Sequence, residues 1–335
     1  MAKAPFETMR YSIVKQTAGR GSGSWSAMVA LVMLLSFGVQ AQDRLPTRLI
    51  VPVSAGSSLD VQARKFAERM TQTFDQSVIV ENRPGASGMI GTEYVARSQA
   101  DGRTLLMAAS FVPINSVMYK TAIDPVKELR PVIKLVESEV FLAANASLGA
   151  SRPADLAVIA RGRSGGLNCA AVPGYSTLGC EQLRVLFGGA ITTIPYSGTG
   201  PASHALLAGQ VDLLIGSASL VGSLTAGGKV QIIAAMGSRP ARAPMGSVPL
   251  ARDTWPGLVI QSWNGVFVAS GTSDAIVDDL NRKMNTLLVD PALGRLLTEQ
   301  GYAVGGGTPE QLGRALSDDI VAYGRMLAAA GIAKQ

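Results

Sequence analysis

The chain is organised around residues 81–91, which read Glu81-Asn82-Arg83-Pro84-Gly85-Ala86-Ser87-Gly88-Met89-Ile90-Gly91. An apolar run before this stretch is typical of a buried strand, and residues 92–99 after it are helix-like. Pro84 and Gly85 force a turn between the two. The glycines then expose backbone N–H groups where the helix begins. Such a terminus has unsatisfied donors and the positive end of the helix dipole, so it suits a carboxylate or a phosphate.

This glycine-rich corner has three interpretations. Glycine there can simply permit tight packing between a strand and a helix. The corner can instead form a wall of an anion pocket. A dinucleotide site is the weakest of the three, because the spacing of Gly85, Gly88 and Gly91 differs from the G-x-G-x-x-G pattern that a pyrophosphate turn needs.

The first 41 residues have the pattern of an export signal. A basic leader precedes an apolar run at residues 27–39, and Val39-Gln40-Ala41 fits a small-x-small cleavage site. The apolar run is short for a membrane span, and an uncleaved anchor is the alternative. We therefore predict a periplasmic protein whose mature chain begins at Gln42.

The composition argues against nucleic-acid binding. The formal charge of +6 falls to +3 without the leader, which holds Lys3, Arg10, Lys15, Arg20 and Glu7, and only 5% of the 335 residues are aromatic. With no run of Lys or Arg, a nucleic-acid partner is not expected, whereas a small positive balance mildly favours anionic ligands. About 294 residues follow the leader, which predicts two lobes because this exceeds one comfortable core.

Apolar periodicity predicts two successive series of strands and helices. The first gives a β-α-β-α-β order over residues 48–109, and the second covers residues 153–236. Such alternation predicts an α/β fold in which each lobe has a mixed, mostly parallel sheet flanked by helices. A loop containing Pro113 and Pro125 is expected after the first series. Three helices are predicted to close the chain, near residues 274–288, 291–300 and 309–329.

The lobe boundaries follow from two extended stretches, at residues 140–145 and 262–268, interpreted as crossings between the lobes. The first lobe is predicted at residues 42–144 and 265–335, and the second at residues 145–264. Two crossings make a two-strand hinge, so we expect the lobes to close around a ligand.

Small polar loops follow several predicted strands and precede helices. They bring hydroxyls and backbone N–H groups to helix N-termini with few cationic side chains, an arrangement that binds carboxylates through dipoles and hydrogen bonds. The loops are residues 54–60, 85–91, 173–177 and 196–201. The alternative role of their serines is helix capping. The serines concerned are Ser54, Ser57, Ser176 and Ser197.

Catalysis has little support in the sequence. The single histidine, His204, lies in a predicted helix, and no G-x-S-x-G elbow follows the leader. Asp60, beside Ser54 and Ser57, is the one candidate base for an exported hydrolase or isomerase, although a helix cap or a pocket acceptor is the simpler role. We expect no enzymatic activity, no cofactor and no metal.

The two cysteines, Cys169 and Cys180, are predicted to form a disulfide. In an exported chain this is favoured over a metal site, because one histidine cannot complete a zinc site with them. Two free buried thiols are the alternative.

Several motifs continue the pattern that begins at residues 81–91. They lie at residues 101–106, 124–127, 195–202, 206–212, 262–263 and 308–310. With these motifs in order, residues 45–330 resemble the periplasmic receptors of tripartite tricarboxylate transporters, the Bug or TctC-like solute-binding proteins.

The resemblance implies a two-lobe, type II-like periplasmic solute-binding protein without enzymatic activity. It also implies a small organic anion as ligand, a carboxylate, dicarboxylate or amino-acid-like compound held by backbone amides, hydroxyls and water. The implied partners are the membrane components of such a transporter or a sensor kinase, and the protein is expected to be a monomer. Carried over by position, the predicted ligand-binding residues are Val53, Ser54, Ala55, Gly56, Ser57, Asp60, Gly88, Tyr175, Ser176, Thr177, Tyr196, Ser197, Gly198 and Ser217.

The chain departs from the family pattern in its ligand loops. Val53 and Ser54 stand where the family usually has an aromatic residue and a proline, so we expect a larger or looser pocket. Further departures are Ser57, Leu59, Leu178 and Asn264. Ligand identity therefore does not follow from the resemblance. The cysteine pair brackets the second-lobe loop, and a disulfide there would hold that wall rigid.

Overall fold

The computed structural model describes residues 45–172, 174–242, 245, 247–329, 331 and 333–334. The predicted export signal and its cleavage point lie outside the described residues, as does Pro173 in the predicted second-lobe loop. Within the described ranges, no helix combines the length and the apolar character that crossing a bilayer requires.

Strands and helices alternate along most of the described chain. The strands are β1 (Thr47–Val51), β2 (Val78–Asn82), β3 (Thr104–Ala109), β4 (Leu129–Ser138), β5 (Val140–Asn145), β6 (Leu167–Ala171), β7 (Ile191–Pro195), β8 (Leu213–Ser217), β9 (Val230–Ala235), β10 (Ser262–Ala269) and β11 (Tyr302–Gly306). The α-helices are α1 (Ser58–Phe74), α2 (Met89–Ala96), α3 (Phe111–Met118), α4 (Pro125–Glu128), α5 (Pro153–Gly162), α6 (Tyr175–Leu186), α7 (Thr199–Leu207), α8 (Ala218–Thr225), α9 (Ala251–Thr254), α10 (Asp274–Leu288), α11 (Pro291–Glu299) and α12 (Pro309–Ala329).

The strands form two sheets, each the centre of one lobe. The first sheet has six strands in the order β11-β4-β10-β3-β1-β2, and the second has five in the order β7-β6-β8-β5-β9. In the first sheet β2, β1 and β3 run parallel, while β10, β4 and β11 add antiparallel pairs. In the second sheet β7, β6 and β8 run parallel, and β5 lies antiparallel to β8 and β9. Both sheets are mixed and flanked by helices, which confirms the predicted α/β two-lobe fold.

The inner parallel strands are buried on both faces. The strand before the glycine-rich corner, β2, was expected to be buried, but it is an edge strand in which Ile79 is 51% exposed. Along β1, Leu49 and Val51 pack into one core and Ile50 into another, because successive side chains of a strand point to opposite faces. Helix α1 covers one face with Phe66 and Met70, each about 1% exposed. Burying side chains of this size stabilises the fold by about 1.5–3 kcal/mol each. The spacing of Ala63, Phe66, Ala67, Met70 and Phe74 in the sequence predicts that they share one face of a helix, and all five are buried on α1.

Five elements were not predicted from the sequence: the short helices α4 and α9, and the three elements α3, β11 and α8. The expected loop after β3 contains α3, where Pro113 lies in the first helical turn, whose N–H groups have no acceptor within a helix. Strand β11 ends in two glycines and forms through its antiparallel pairing with β4. Helix α8 contains serine and Gly222, which have weak helix propensity. Tertiary packing decides these three elements.

The chain passes between the two sheets at two places. It leaves β4 at Ser138 and enters β5 at Val140, and it returns to the first sheet at Ser262. Residues 140–144, predicted in the first lobe, therefore pair in the second sheet, and residues 262–264, predicted in the second lobe, pair in the first. We propose that the lobe boundaries pass through Glu139 and Gln261.

The lobes touch through an apolar cluster beside the crossings. Ile114 and Met118 of α3, together with Tyr323 and Leu327 of α12, pack against Leu178 of α6 in the second lobe. All five side chains are less than 9% exposed, so the described conformation has the lobes in contact.

The predicted disulfide is confirmed. Cys169 on β6 and Cys180 on α6 are bonded, with their Cα atoms 5.7 Å apart, and both are fully buried. The bond ties the strand that ends at the second-lobe loop to the helix that follows it.

Candidate functional site

A cavity of about 180 Å³ lies between the lobes, where four helices begin. The first lobe contributes the N-termini of α1 and α3, and the second contributes those of α6 and α8. The lining residues are Val53, Ser58, Leu59, Ala109, Ser110, Phe111, Ser138, Gly174, Tyr175, Ser217, Ser262, Asn264 and Tyr302.

Serines form much of the first-lobe wall. Ser110, the N-cap of α3, is 2% exposed, and its hydroxyl lies 3.4 Å from that of Ser262. The Ser110 N–H donates to the carbonyl of Trp263 at 3.1 Å, which joins the end of β3 to β10. Because side chains alternate along a strand, Ser262 and Asn264 face the cavity while Trp263 points into the core between them.

The second-lobe wall is built by Gly174, Tyr175 and Ser217. Gly174 precedes α6 with φ +102° and ψ −140°, a conformation that only glycine adopts readily, and open space surrounds its Cα. Tyr175 is the first residue of α6, and Ser217 occupies the N-cap position of α8 without a capping hydrogen bond from its side chain. The Tyr175 and Ser217 hydroxyls are hydrogen-bonded. Thus two helix starts of this lobe are linked by a tyrosine.

Two tyrosines from opposite lobes meet at the cavity. Burial raises the pKa of Tyr175 to about 12, the nearby Tyr302 adds to this rise, and hydrogen bonds with Ser217 offset part of it. Burial also raises the pKa of Tyr302. Both phenols are therefore neutral at physiological pH and available as hydrogen-bond donors.

No charged side chain occurs among the described residues that line the cavity. Its polar groups are serine and tyrosine hydroxyls, the amide of Asn264 and backbone N–H groups at helix starts. Each helix N-terminus carries roughly half a positive charge and stabilises a nearby anion by about 0.3–1 kcal/mol. The arrangement suits a carboxylate, because several neutral donors from both lobes converge on one small space.

Asp60, a predicted ligand contact, organises the loop before α1. It is 2% exposed and accepts hydrogen bonds from the Gly56 N–H at 2.8 Å, from Asn82 at 2.8 Å and from Arg64 at 3.1 Å. Burial acts to raise the pKa of this carboxyl, but the bonds from Arg64, Gly56 and Asn82 outweigh it and hold the pKa below its usual value. Its acceptors are engaged, so the geometry does not favour a base or a ligand acceptor.

Three of the predicted ligand residues line the cavity, namely Val53, Tyr175 and Ser217. Ser57 caps α1, Ser176 bonds to the carbonyl of Ala170 at 3.1 Å, and Thr177 bonds to that of Val172 at 2.9 Å. Exposed positions precede α1 at Ser54, Ala55 and Gly56, and the end of β7 holds Tyr196, Ser197 and Gly198. These residues remain predictions as ligand contacts.

The glycine-rich corner stands one layer behind the cavity. A Cβ at Gly88, whose φ is +93°, would lie 2.6 Å from Cε2 of Phe111, which lines the cavity. Ala86 and Ser87 also have positive φ, and Asn115 donates to the carbonyl of Ser87 at 2.7 Å. The corner therefore shapes the cavity wall through Phe111, not through its own N–H groups.

Sequence reasoning missed other lining residues. Ser110 directly follows the predicted strand at residues 104–109, so the rule that ligands gather at strand ends identifies it. Tyr302 gave no such signal, because β11 was not predicted. Ser58, Leu59 and Gly174 were not named as ligand residues, but they lie in the predicted loops at residues 54–60 and 173–177. The lining residues outside both the predicted set and these loops are Ala109, Ser110, Phe111, Ser138, Ser262, Asn264 and Tyr302.

The chain matches a known protein family over most of its length. Residues 62–332 match the family model TctC, described as the tripartite tricarboxylate transporter family receptor. The chain belongs to this family. TctC-family proteins are solute receptors without enzymatic activity, as the resemblance implied.

Relatives of this TctC-family chain include proteins solved with carboxylates. Protein BugT of Bordetella pertussis is 32% identical over 282 residues, which cover 82% of this chain and 86% of BugT. R. palustris Rpa4515, solved with adipate, has a TM-score of 0.75 and 28% identity, covering 86% of this chain and 98% of its own. MatC from Rhodopseudomonas palustris, solved with malate, has a TM-score of 0.73 and 28% identity, and the match covers 84% of this chain and 98% of MatC.

Proposed function

We propose that the protein is a periplasmic receptor that captures a small organic carboxylate between its lobes and delivers it to a tripartite tricarboxylate transporter. The observation that carries the proposal is the uncharged cavity onto which helix N-termini of both lobes converge. Family membership and the carboxylates bound by Rpa4515 and MatC support the same ligand class.

Capture uses donors from both lobes at once. Ser110 and Ser262 belong to the first lobe, whereas Tyr175 and Ser217 belong to the second. A carboxylate held by both sets binds the closed conformation better than the open one, and this difference in affinity shifts the population towards closure. The described lining residues offer no salt bridge, so helix dipoles and hydrogen bonds hold the anion. Opening of the lobes breaks these interactions together.

Thermal unfolding tests the ligand class. The mature protein is heated with a panel of mono-, di- and tricarboxylates, amino acids, sugars and amines. A carboxylate at a hundred times its Kd should stabilise the protein by about 2.7 kcal/mol and raise its Tm. The proposal fails if every carboxylate leaves the Tm unchanged or if sugars or amines alone raise it.

Uptake measurements test delivery. A strain that lacks this receptor should lose high-affinity uptake of the carboxylate found by the panel, and the intact gene should restore it. Unchanged uptake together with a lost transcriptional response to the same carboxylate would instead indicate an adaptor for a sensor kinase. Cell fractionation and N-terminal sequencing test export, with Gln42 expected as the first residue of a periplasmic protein.

A further inference from the structure

Tyr302 separates the cleft cavity from a second cavity between the lobes. It lines both the 180 Å³ cavity and a neighbouring one of about 230 Å³. The two cavities adjoin elsewhere as well, because Ser138 and Ser217 line the first while their chain neighbours Glu139 and Ala218 line the second. Among the described residues, Tyr302 is therefore the one lining residue that the two cavities share, and the cavities are of similar size.

The backbone at Gly301 and Tyr302 runs along the boundary between the two lobes. The residue opens β11 opposite Ser138 of β4, and its ring packs against the first-lobe core. Gly301, with φ +78°, approaches the start of α8 so closely that a Cβ there would lie 3.3 Å from the Cβ of Ala218 and 3.3 Å from the Ser219 nitrogen. The turn before Tyr302 thus lies close against the second lobe, and Tyr302 lines the cavity on each side of it.

The second cavity differs chemically from the first because it contains charged groups. Arg242 lies on its wall and pairs with Glu139, with Arg242 Nε 3.4 Å from Glu139 Oε1. The Arg242 side chain is 57% exposed, so most of the guanidinium is accessible. Glu299 also lines this space. A guanidinium offers a planar set of donors that matches a carboxylate.

The size of the first cavity limits the ligand. At 180 Å³ it holds about six water volumes of about 30 Å³ each. Pockets for organic ligands usually measure about 300–1,000 Å³. The first cavity alone falls below this range, whereas the two cavities joined fall within it.

We propose that Tyr302 sets the upper length of the ligand, and that the second cavity is a latent subsite for the distal carboxylate of a longer dicarboxylate, with Arg242 as its cation. The inference rests on the proposed carboxylate receptor function. A four- or five-carbon acid fits the wild-type cleft, and the Tyr302 ring excludes a longer chain. Removal of the ring opens a path from the helix starts to Arg242.

Calorimetric titration of straight-chain dicarboxylates from four to eight carbons tests the proposal. Wild-type protein and the matched control Tyr302→Phe, which keeps the ring, should bind the short acids best. In Tyr302→Ala the ratio of long-chain to short-chain affinity should rise about tenfold, the usual effect of a gained hydrogen bond to a charged group. Tyr302→Val is a second opening variant that keeps a β-branched residue in the strand.

The subsite itself is tested by second substitutions. Adding Arg242→Gln to Tyr302→Ala should remove the gain for the long acids and leave short-acid affinity unchanged. Adding Glu139→Gln instead should increase the gain, because it removes the carboxylate that competes for Arg242.

Three results would overturn the inference. One is an unchanged length preference in an opening variant that still folds and still binds short acids. Another is wild-type protein that binds the eight-carbon acid as tightly as the four-carbon acid. The third is a long-acid gain that Arg242→Gln does not reduce. If wild-type protein binds no carboxylate at all, the proposed function itself fails, so the two failures are distinguished.

Discussion

The glycine-rich corner and the cavity lining contribute differently to the same site, the first through its backbone conformation and the second through its side chains. The corner, residues 81–91, holds a run of positive φ angles from Gly85 to Gly88. It contacts the cavity lining through Phe111 and through a hydrogen bond from Asn82 to the carbonyl of Val53. The lining is made of ordinary serines and tyrosines at helix starts and strand ends. The comparison shows that the stretch most typical of the family is scaffold, while the residues positioned to select the ligand carry little sequence signal. Changes in the scaffold should therefore alter stability, and changes in the lining should alter affinity.

The largest expected effect is in the corner. A Cβ at Gly91 would lie 2.7 Å from Pro52 Cβ and 2.8 Å from the Arg83 carbonyl oxygen. Because backbone atoms must move, Gly91→Ala should lower the free energy of unfolding by about 3 kcal/mol, as measured by urea unfolding. Gly162→Ala, at the end of α5 with open space around it, is the control and should be neutral or stabilising. Similar stability of the two variants would contradict a scaffold role for the corner.

The disulfide should have an effect of similar size in the opposite lobe. Cys169 and Cys180 are eleven positions apart, and closing a loop of this length stabilises a protein by about 3 kcal/mol. The double variant Cys169→Ala/Cys180→Ala should lose about this amount, as should wild-type protein under reducing conditions. A reductant should leave the double variant unchanged. No loss of stability on reduction would show that the bond does not support the second lobe.

A smaller, pH-dependent effect is expected behind the cavity. Burial raises the pKa of Asp319 to about 6, although its bond from the Trp263 indole N–H, 2.8 Å long, acts to lower it. The neighbouring Asp318 adds to the rise, and Lys134 opposes it. The folded state therefore holds this proton more tightly than the unfolded state, whose pKa is near 3.8. Stability should fall as the pH rises from about 4 to about 6, by roughly 1–2 kcal/mol from this group.

Thermal unfolding of wild-type protein and of Asp319→Asn across this pH range measures the contribution of Asp319 to stability. The asparagine keeps an acceptor for Trp263 but does not titrate, so the decline should be smaller in the variant. Asp278→Asn is the matched control, since Asp278 is an exposed aspartate on α10 outside this cluster. Identical pH profiles of wild-type protein and Asp319→Asn would refute the expectation.

The smallest expected change is in the free energy of ligand binding when one serine of the cavity lining is replaced. Ser110→Ala removes one buried hydroxyl and should weaken carboxylate binding about fivefold, which corresponds to about 1 kcal/mol for a hydrogen bond. Its effect on unfolding should be smaller than that of Gly91→Ala. Ser116→Ala, on a later turn of α3 and outside both cavities, should leave affinity unchanged. Equal loss of affinity in both serine variants would contradict the position of the site.

Some of the fold and part of the candidate site can be predicted from the sequence. Apolar periodicity predicts the alternating elements and the α1 face. The rule for strand ends predicts the loop that holds Tyr175, whereas Val53 and Ser217 follow only from the resemblance to the family. The pairing of β5 with the second sheet could not be predicted, because an apolar run is compatible with either sheet. Tyr302 could not be predicted either, since its strand exists only through pairing with β4. The serine and threonine hydroxyls of α6 were predicted to face a ligand, yet two of them satisfy carbonyls of their own loop.

Native mass spectrometry of the mature protein with the carboxylate panel shows whether the cleft binds a carboxylate. We expect one carboxylate per chain, retained in Gly162→Ala and weakened in Ser110→Ala. No carboxylate adduct on protein that is shown to be folded, or an adduct with a sugar or an amine alone, would contradict this expectation.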